Sequence, residues 1–163
     1  MENFPKIFVQ FDEYFMLDFW YALCYNEGTK GKEMIKMKIY MAGAFFRPET
    51  KSRIDSYAAG FRRLGYDVFV PQEHTVPNAW EMSQEDWARE VFKMDIAAIQ
   101  ECDMVFVVYD GLYSDSGTAW EIGYAYALGK DIQMSINNGV KDMSIMPFAS
   151  AWAIENYKNI KLV

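Results

Sequence analysis

The pattern of apolar and polar residues predicts strands that alternate with helices along most of the chain. Short apolar runs predict five strands, at residues 38–42, 67–70, 104–109, 131–136 and 159–163. Apolar residues that recur every three or four positions predict four helices, at residues 48–64, 83–100, 118–128 and 144–155. Strands connected by helices of crossover length form a parallel sheet with helices on both faces. The chain is therefore predicted to be an α/β protein.

Residues 1–36 precede this regular alternation and are predicted to be a separate region. Their apolar positions are spaced for one face of a helix, at Phe8, Phe11, Phe15, Phe19 and Ala22. In one interpretation, this helix packs on the body of the protein or on a partner subunit. In the other, the native protein starts at Met37, because the codons for residues 31–33 can form the purine-rich run that bacterial ribosomes bind. The second interpretation predicts that residues 37–163 fold and function alone.

The composition restricts the classes of partner. With 163 residues, the chain is long enough for one domain with its own core. Its content of 52% hydrophobic and 17% aromatic residues favours an oligomer interface or an aromatic-lined pocket. The net charge of -7 and the absence of a basic cluster argue against DNA or RNA as a polymeric partner. One histidine and two cysteines are too few for a zinc site, so we expect no metal.

Three further expectations concern location and isolated reactive residues. No secretory or membrane-spanning segment is evident in the sequence, so we expect a cytoplasmic protein. Cys102 lies beside a predicted core strand and is expected to be a buried thiol. His74, a lone histidine in a predicted loop, is interpreted as a residue without a catalytic role.

The most informative segment is residues 109–123, which follow the predicted strand 104–109. The segment crosses a turn rich in Gly, Ser and Asp and enters an apolar helix with Glu121 in its expected first turn. Asp115 and Glu121 therefore lie between the carboxyl end of a strand and the amino end of a helix, where open α/β sheets bind ligands. Two carboxylates there predict acid–base or nucleophilic chemistry on a polar, uncharged substrate.

Each of these carboxylates also has a purely structural interpretation. Thr118 and Glu121 fit a capping box, and Asp115 could cap the same helix. Gly117 favours the functional interpretation, because a glycine lets the backbone approach a ligand closely. A third carboxylate, Asp95, falls among apolar residues of its predicted helix, where the cost of burial argues for a purpose.

The first predicted strand leads from Tyr40 into a turn at Gly43. This turn lacks the G-x-G-x-x-G pattern, so the sequence does not support a dinucleotide cofactor. Phe45, Phe46 and Trp87 are aromatic residues of the kind that usually belong to a core. They gain interest because all three flank the edge of the sheet that carries the carboxylates.

Together, these residues resemble the nucleoside 2-deoxyribosyltransferase family. The resemblance rests on Tyr40 with Gly43, on Trp87 followed eight residues later by Asp95, and on the block from residue 115 to residue 129. It covers residues 37 to about 155 and implies a flavodoxin-like, open, parallel five-stranded sheet. It also implies a homo-oligomer, built from dimers, with active sites shared across subunits.

The resemblance implies roles for four residues. Glu121 corresponds to the nucleophile that attacks the anomeric carbon of a 2'-deoxynucleoside and forms a covalent deoxyribosyl-enzyme. Asp95 corresponds to the acid that protonates the departing base. Asp115 corresponds to the carboxylate that binds the sugar hydroxyls, and Tyr40 to the hydroxyl that orients the nucleophile.

The resemblance also implies how substrates are held. The implied substrate-binding residues are Gly43, Phe45, Phe46, Gln72, Trp87, Gly117 and Ser144. The aromatic residues among them would hold the base, and Gln72 would be a polar contact to it. The implied substrates are deoxynucleosides and nucleobases. No cofactor is expected, because a 2-deoxy sugar supports an oxocarbenium-like transition state unaided, as in retaining glycosidases.

Two departures from the family pattern leave alternatives open. Ser144-Ile145-Met146 stands where transferases usually have Asn-Leu-Met, and the chain ends at Val163 without the tail of some transferases. A serine there is similar to the related 2'-deoxynucleoside 5'-phosphate N-hydrolases, in which it helps to bind phosphate. Against that, Phe45 and Phe46 replace the small and basic residues that those hydrolases prefer. A non-catalytic nucleotide sensor is a third alternative, and retention of all three carboxylates argues against it.

Overall fold

The computed structural model describes residues 36–113, 116–155 and 160–163. The strands are β1 (Lys38–Gly43), β2 (Asp67–Phe69), β3 (Met104–Tyr109), β4 (Asp131–Ile136), β5 (Asp142–Met143), β6 (Ala153–Glu155) and β7 (Lys161–Leu162). The α-helices are α1 (Pro48–Arg63), α2 (Gln84–Glu101), α3 (Ser116–Ala127) and α4 (Ile145–Ser150). The predicted helical face at residues 8–22 and the predicted sugar contact Asp115 lie outside the described residues.

Five strands form one parallel sheet in the order β2-β1-β3-β4-β6. β3 lies at the centre and every one of its residues is buried, which explains its uninterrupted apolar sequence. β5 and β7 pair separately as a two-stranded parallel sheet. The predicted α/β fold with an open, parallel five-stranded sheet is confirmed.

Helices cover both faces of the sheet, because successive side chains of a strand point in opposite directions. Tyr40 and Val107 belong to an apolar cluster that includes Ile99 of α2 and Ile122 of α3. Their neighbours in the strands point the other way, into a second cluster that packs against α1. The first of these faces carries the candidate site.

Local sequence signals explain where two of the helices begin. Pro48 occupies the first turn of α1, where its missing N–H group breaks no helical hydrogen bond. Ser83 caps α2 by accepting a hydrogen bond of 3.1 Å from the backbone N–H of Asp86, which confirms the predicted helix start. Among the described residues, none of the helices combines the length and the apolar character needed to cross a bilayer.

The prediction for the carboxyl-terminal part of the chain was wrong. The predicted helix 144–155 is limited to α4, and the fifth strand of the main sheet is β6 rather than residues 159–163. Ile154 pairs with Met134 of β4 and is buried in the core. A short apolar run such as residues 151–154 has no periodicity that distinguishes a buried strand from a helix. These residues form a strand because they pair with the free edge of β4, and the sequence pattern does not reveal that edge.

Candidate active site

A cavity of about 600 Å³ lies at the edge of the sheet where the parallel strands end. Its walls come from the turn after β1, the loop after β2, helix α2 and the first turns of α3. Parallel strands collect these loops at one edge, which is the usual ligand site of open α/β sheets. The predicted site residues that line this cavity are Gly43, Phe45, Phe46, Gln72, Trp87, Asp95, Gly117 and Glu121.

Glu121 is held at the cavity wall by a residue of β1. The phenolic hydroxyl of Tyr40 donates a hydrogen bond of 2.7 Å to Oε1 of Glu121. Helix α3 begins at Ser116, so Glu121 lies in its second turn and Thr118 is a buried residue inside the helix. The structural alternative of a capping box at these two positions is therefore wrong, as is the prediction that Glu121 lies in the first turn. In the second turn of α3, the side chain of Glu121 lies next to Tyr40 of β1.

The proton of Tyr40 stays on its oxygen. Burial raises the pKa of Tyr40, and the nearby carboxylates of Glu121 and Asp95 raise it further, because both effects disfavour a phenolate. Tyr40 is fully buried, and its ring stacks on that of Phe69 at a centroid distance of 5.6 Å. The hydroxyl of Tyr40 is thus a fixed, neutral donor, and the carboxylate of Glu121 is its acceptor.

Asp95 faces the same cavity from α2 and is suited to carry a proton. Burial raises the pKa of Asp95 to about 6, although the charge of nearby His74 opposes this rise. Its Oδ1 atom is buried and has no hydrogen-bond partner among residues 36–113, 116–155 and 160–163. A buried polar atom without a partner is costly to the folded state. The carboxyl group of Asp95 is therefore available to a bound molecule.

His74 lies on the wall of the cavity, and the prediction that it has no catalytic role stays a prediction. Its ring stacks on Phe69, with centroids 4.1 Å apart and planes 4° from parallel. Since Phe69 also stacks on Tyr40, the three rings form a continuous stack beside Glu121. The available signal was its position two residues after Gln72, in the loop that follows β2.

Phe46 and Trp87 at the mouth of the cavity are not core residues, whereas Phe45 packs against the core. Phe46 is 72% exposed and Trp87 is 45% exposed, so the default expectation that they belong to the core was wrong. Phe45 is partly buried against the cluster on the α1 face. Exposed aromatic rings beside a cavity are suited to stack on a planar ligand.

Gly43 shows how closely the chain segments approach at the cavity. A Cβ atom built at Gly43 would lie 2.9 Å from the backbone oxygen of Val108 and 2.8 Å from Cδ1 of Ile54. The backbone oxygen has no freedom to move aside within the sheet. Only glycine therefore fits where β1 leaves the sheet and begins the cavity wall.

Two predicted site residues, Tyr40 and Ser144, are not among the residues that line the cavity within this chain. Ser144 precedes α4 and lies away from the cavity wall, next to the exposed residues Ile145 and Met146. Asp115 lies outside the described residues, so its role stays a prediction. Across the described part of the chain, the side chains of His, Cys, Asp and Glu form no group of three suited to a metal ion.

Comparison with known families agrees with this architecture. The model of the nucleoside 2-deoxyribosyltransferase family matches residues 39–151, which include the sheet from β1 to β4 and helices α1 to α4. The chain belongs to this family. A comparison with curated proteins gives no match.

Solved structures give further relatives. The 2-deoxyribosyltransferase of Bacillus psychrosaccharolyticus is 35% identical, with a TM-score of 0.63, over 70% of this chain and 82% of that chain. A conserved protein of Enterococcus faecalis is 25% identical, with a TM-score of 0.51, over 64% of this chain and 65% of that chain. The CMP N-glycosidase BcmB of Clostridium botulinum is 22% identical, with a TM-score of 0.49, over 73% of this chain and 89% of that chain.

Proposed function

We propose that this enzyme exchanges bases between 2'-deoxynucleosides through a covalent deoxyribosyl intermediate on Glu121. The observation that supports the proposal is the hydrogen bond of 2.7 Å that Tyr40 donates to Glu121 at the wall of the cavity. A carboxylate held by a neutral donor is directed for attack without an added positive charge. The likeness to the 2-deoxyribosyltransferase of Bacillus psychrosaccharolyticus supports the same class of reaction.

The proposed reaction has two balanced steps. In the first, a carboxylate oxygen of Glu121 forms a bond to the anomeric carbon, and the bond between that carbon and the base breaks. The electron pair leaves with the base, which receives the proton of Asp95. In the second, an acceptor base attacks the same carbon and displaces Glu121, while Asp95 recovers a proton from the acceptor. The sugar therefore keeps its configuration.

The lining of the cavity is suited to a nucleoside. A volume of about 600 Å³ lies within the range typical of small-molecule sites. The exposed rings of Phe46 and Trp87 would stack on the base, and Gln72 would supply a polar contact. Gly43 in the turn after β1 and Gly117 at the start of α3 would let the backbone approach the ligand, and Asp115 would bind the sugar hydroxyls. Such an enzyme serves the salvage of deoxynucleosides.

The enzyme is proposed to act as a homo-oligomer with shared active sites. Ser144 would then reach the cavity of a neighbouring subunit, beside the exposed side chains of Ile145 and Met146. Phe92 and Trp120 form an exposed pair of rings, 5.2 Å apart, on α2 and α3. Apolar surface of this kind is typical of homo-oligomer interfaces.

Product analysis with deoxyinosine tests the proposal. The purified protein is incubated with deoxyinosine, with and without adenine, and the products are separated by chromatography. Formation of deoxyadenosine only when adenine is present supports base exchange. Release of the free base and 2-deoxyribose 5-phosphate from a deoxynucleoside 5'-monophosphate would instead indicate the hydrolase. Absence of turnover on every substrate would contradict both enzymes and favour a nucleotide sensor.

Ser144 separates the transferase from the hydrolase. If Ser144 binds a 5'-phosphate across a subunit boundary, Ser144→Ala should weaken the binding of deoxynucleoside monophosphates and spare that of free nucleosides. Equal effects on both ligands would remove the reason to consider the hydrolase. Titration calorimetry with deoxyinosine and its 5'-monophosphate measures the two affinities directly.

A further inference from the structure

A buried polar cluster lies at the same edge of the sheet as the cavity, but on the opposite face. At its centre is Asp110, which directly follows β3 and is only 6% exposed. The hydroxyl of Thr50 donates a hydrogen bond of 2.7 Å to one carboxylate oxygen of Asp110. The amide nitrogen of Asn137 donates to the other oxygen, and the guanidinium of Arg47 lies 3.4 Å from the first. One carboxylate thus joins three chain segments.

Two of these segments are continuous in sequence with walls of the catalytic cavity, which include Phe46 and Gly117. Arg47 directly follows Phe46 in the turn after β1, and Thr50 lies in the first turn of α1. Asp110 begins the loop that leads to Gly117 and Glu121. The carboxylate therefore connects the turn that carries the proposed base contacts to the loop that precedes the proposed nucleophile.

The third segment follows β4 and contains Asn137, which is hydrogen-bonded to both Asp110 and Arg53. Arg53 of α1 donates to the side-chain oxygen of Asn137 and, at 2.7 Å, to Ser135 of β4. The loop after β3 also lies directly against this segment. At Gly111, where φ is +65°, an added Cβ atom would be 2.6 Å from the backbone oxygen of Asp142. The start of the loop, at Asp110 and Gly111, is therefore fixed by side chains and by backbone contact.

We propose that Asp110 is a positioning residue, which sets the separation between the bound base and the nucleophile Glu121. The inference rests on the proposed function. Asp110 does not line the catalytic cavity, so it acts only through the two loops that it joins. Nucleophilic attack needs the reacting atoms in near-attack geometry, and a displacement of about 1 Å costs up to about a hundredfold in rate. A rigid connection between the loops provides that geometry.

The first test is Asp110→Asn, which keeps the shape of the side chain. An amide has one oxygen instead of two, so it cannot accept hydrogen bonds from Thr50 and Asn137 as the carboxylate does. We expect kcat/KM for base exchange to fall by about tenfold to a hundredfold. The matched control is Asp103→Asn, because Asp103 accepts a hydrogen bond of 2.8 Å from the backbone of Lys38 at the far end of β1. We expect the control to stay within about twofold of the parent enzyme.

A reciprocal exchange distinguishes positioning from a general loss of structure. The double variant D110N/N137D reverses donor and acceptor, and Arg53 still donates to the side chain at position 137. We expect it to recover most of the lost kcat/KM, to within about threefold of the parent enzyme. If D110N does not fold, Thr50→Val is the alternative variant. It removes two hydrogen bonds of the cluster, the one that Thr50 donates to Asp110 and the one that it accepts from Asn137, and should lower kcat/KM by about three- to tenfold.

Nucleoside binding gives a measurement that needs no turnover. Quenching of tryptophan fluorescence by deoxyinosine reports the affinity of the cavity, because Trp87 lies on its wall. If the parent protein binds deoxyinosine without turnover, the proposed function is refuted. The positioning role of Asp110 is then tested by comparing the affinity of D110N for deoxyinosine with that of the parent protein. A D110N variant with unchanged kcat/KM or, without turnover, unchanged affinity overturns the inference. Failure of a folded double variant to recover from the loss also overturns it.

Discussion

The hydroxyl of Tyr40 donates a hydrogen bond of 2.7 Å to Glu121, although the two residues are 81 positions apart in the sequence. Tyr40 lies in β1 and Glu121 in α3, so the bond joins the sheet to the helix that packs on it. Burial and the neighbouring carboxylates raise the pKa of Tyr40 and keep its proton in place. The proposed nucleophile thus has a donor that adds no charge to the site.

Tyr40→Phe removes this donor and leaves the ring in place. We expect the first chemical step to slow by about tenfold to a hundredfold, since a hydrogen bond to a charged group contributes about 1.5–3 kcal/mol. The stack on Phe69 persists, so thermal unfolding should change little. The burst of base release in rapid-mixing experiments measures the step. Tyr124→Phe, which removes a hydroxyl bonded to Gln100 at the surface, is the control. An unchanged burst rate in Tyr40→Phe would refute the orienting role.

Asp95→Asn should slow the departure of poor leaving bases more than that of good ones. The reason is that only a poor leaving group depends on a proton from Asp95. Burial raises the pKa of Asp95 to about 6, so the parent enzyme should lose activity on poor leaving bases as pH rises through about 6. Asp95→Asn should lack this decline. Rates for nucleosides of both kinds between pH 5 and about pH 8 measure the effect. Equal losses for both would indicate a structural role.

The same carboxyl group predicts a pH-dependent change in stability. The pKa of Asp95 is raised from 3.8 to about 6, so its stabilising contribution is complete below its unfolded pKa and is lost as pH rises through about 6. The free energy of unfolding of Asp95→Asn, minus that of the parent, should therefore increase by about 1–2 kcal/mol when the pH is raised from 4 to about 8. This range allows for the partial exposure of Asp95. Denaturant titrations at both pH values test this. An identical difference at both would contradict the raised pKa.

Gly111→Ala should destabilise the fold and loosen the loop before α3. Alanine is strained at a φ of +65°, and its Cβ atom would meet the backbone oxygen of Asp142 at 2.6 Å. We expect a loss of about 2–4 kcal/mol in the free energy of unfolding. The matched control is Gly60→Ala in α1, where an added Cβ meets nothing within 4 Å. The control should gain up to about 1 kcal/mol. Similar denaturation midpoints for the two variants would show that the close approach is absent.

The central sheet and its functional edge were predictable because they follow from local patterns. The apolar run at residues 104–109 is bounded by polar residues and coincides with β3. Once strands alternate with helices, their carboxyl ends meet, and the turn at Gly43, the loop at Gln72 and the helix with Glu121 converge there. Glu121 and Asp95 were therefore singled out from the local pattern, whereas Tyr40 and Gln72 were predicted as site residues only from the resemblance to the family.

The remaining features depend on contacts between distant segments. Strand β6 forms because β4 leaves a free edge, and Glu121 lies one turn deeper because α3 begins at Ser116. The cluster around Asp110 draws its members from three separate regions of the chain. His74 becomes a wall residue only through its stack on Phe69. Single-sequence patterns contain no information on such pairings.

The most direct test of the account is to trap the intermediate. The protein is incubated with a 2'-fluoro-2'-deoxynucleoside, whose fluorine slows both steps of the proposed reaction, and its peptides are mapped by mass spectrometry. Glu121→Gln, which keeps the side chain's shape but removes the carboxylate, is treated in parallel. We predict a fluorodeoxyribosyl group on Glu121 of the parent protein and none on the variant. An adduct on another residue, or full base exchange by Glu121→Gln, would contradict the assignment of Glu121 as the nucleophile.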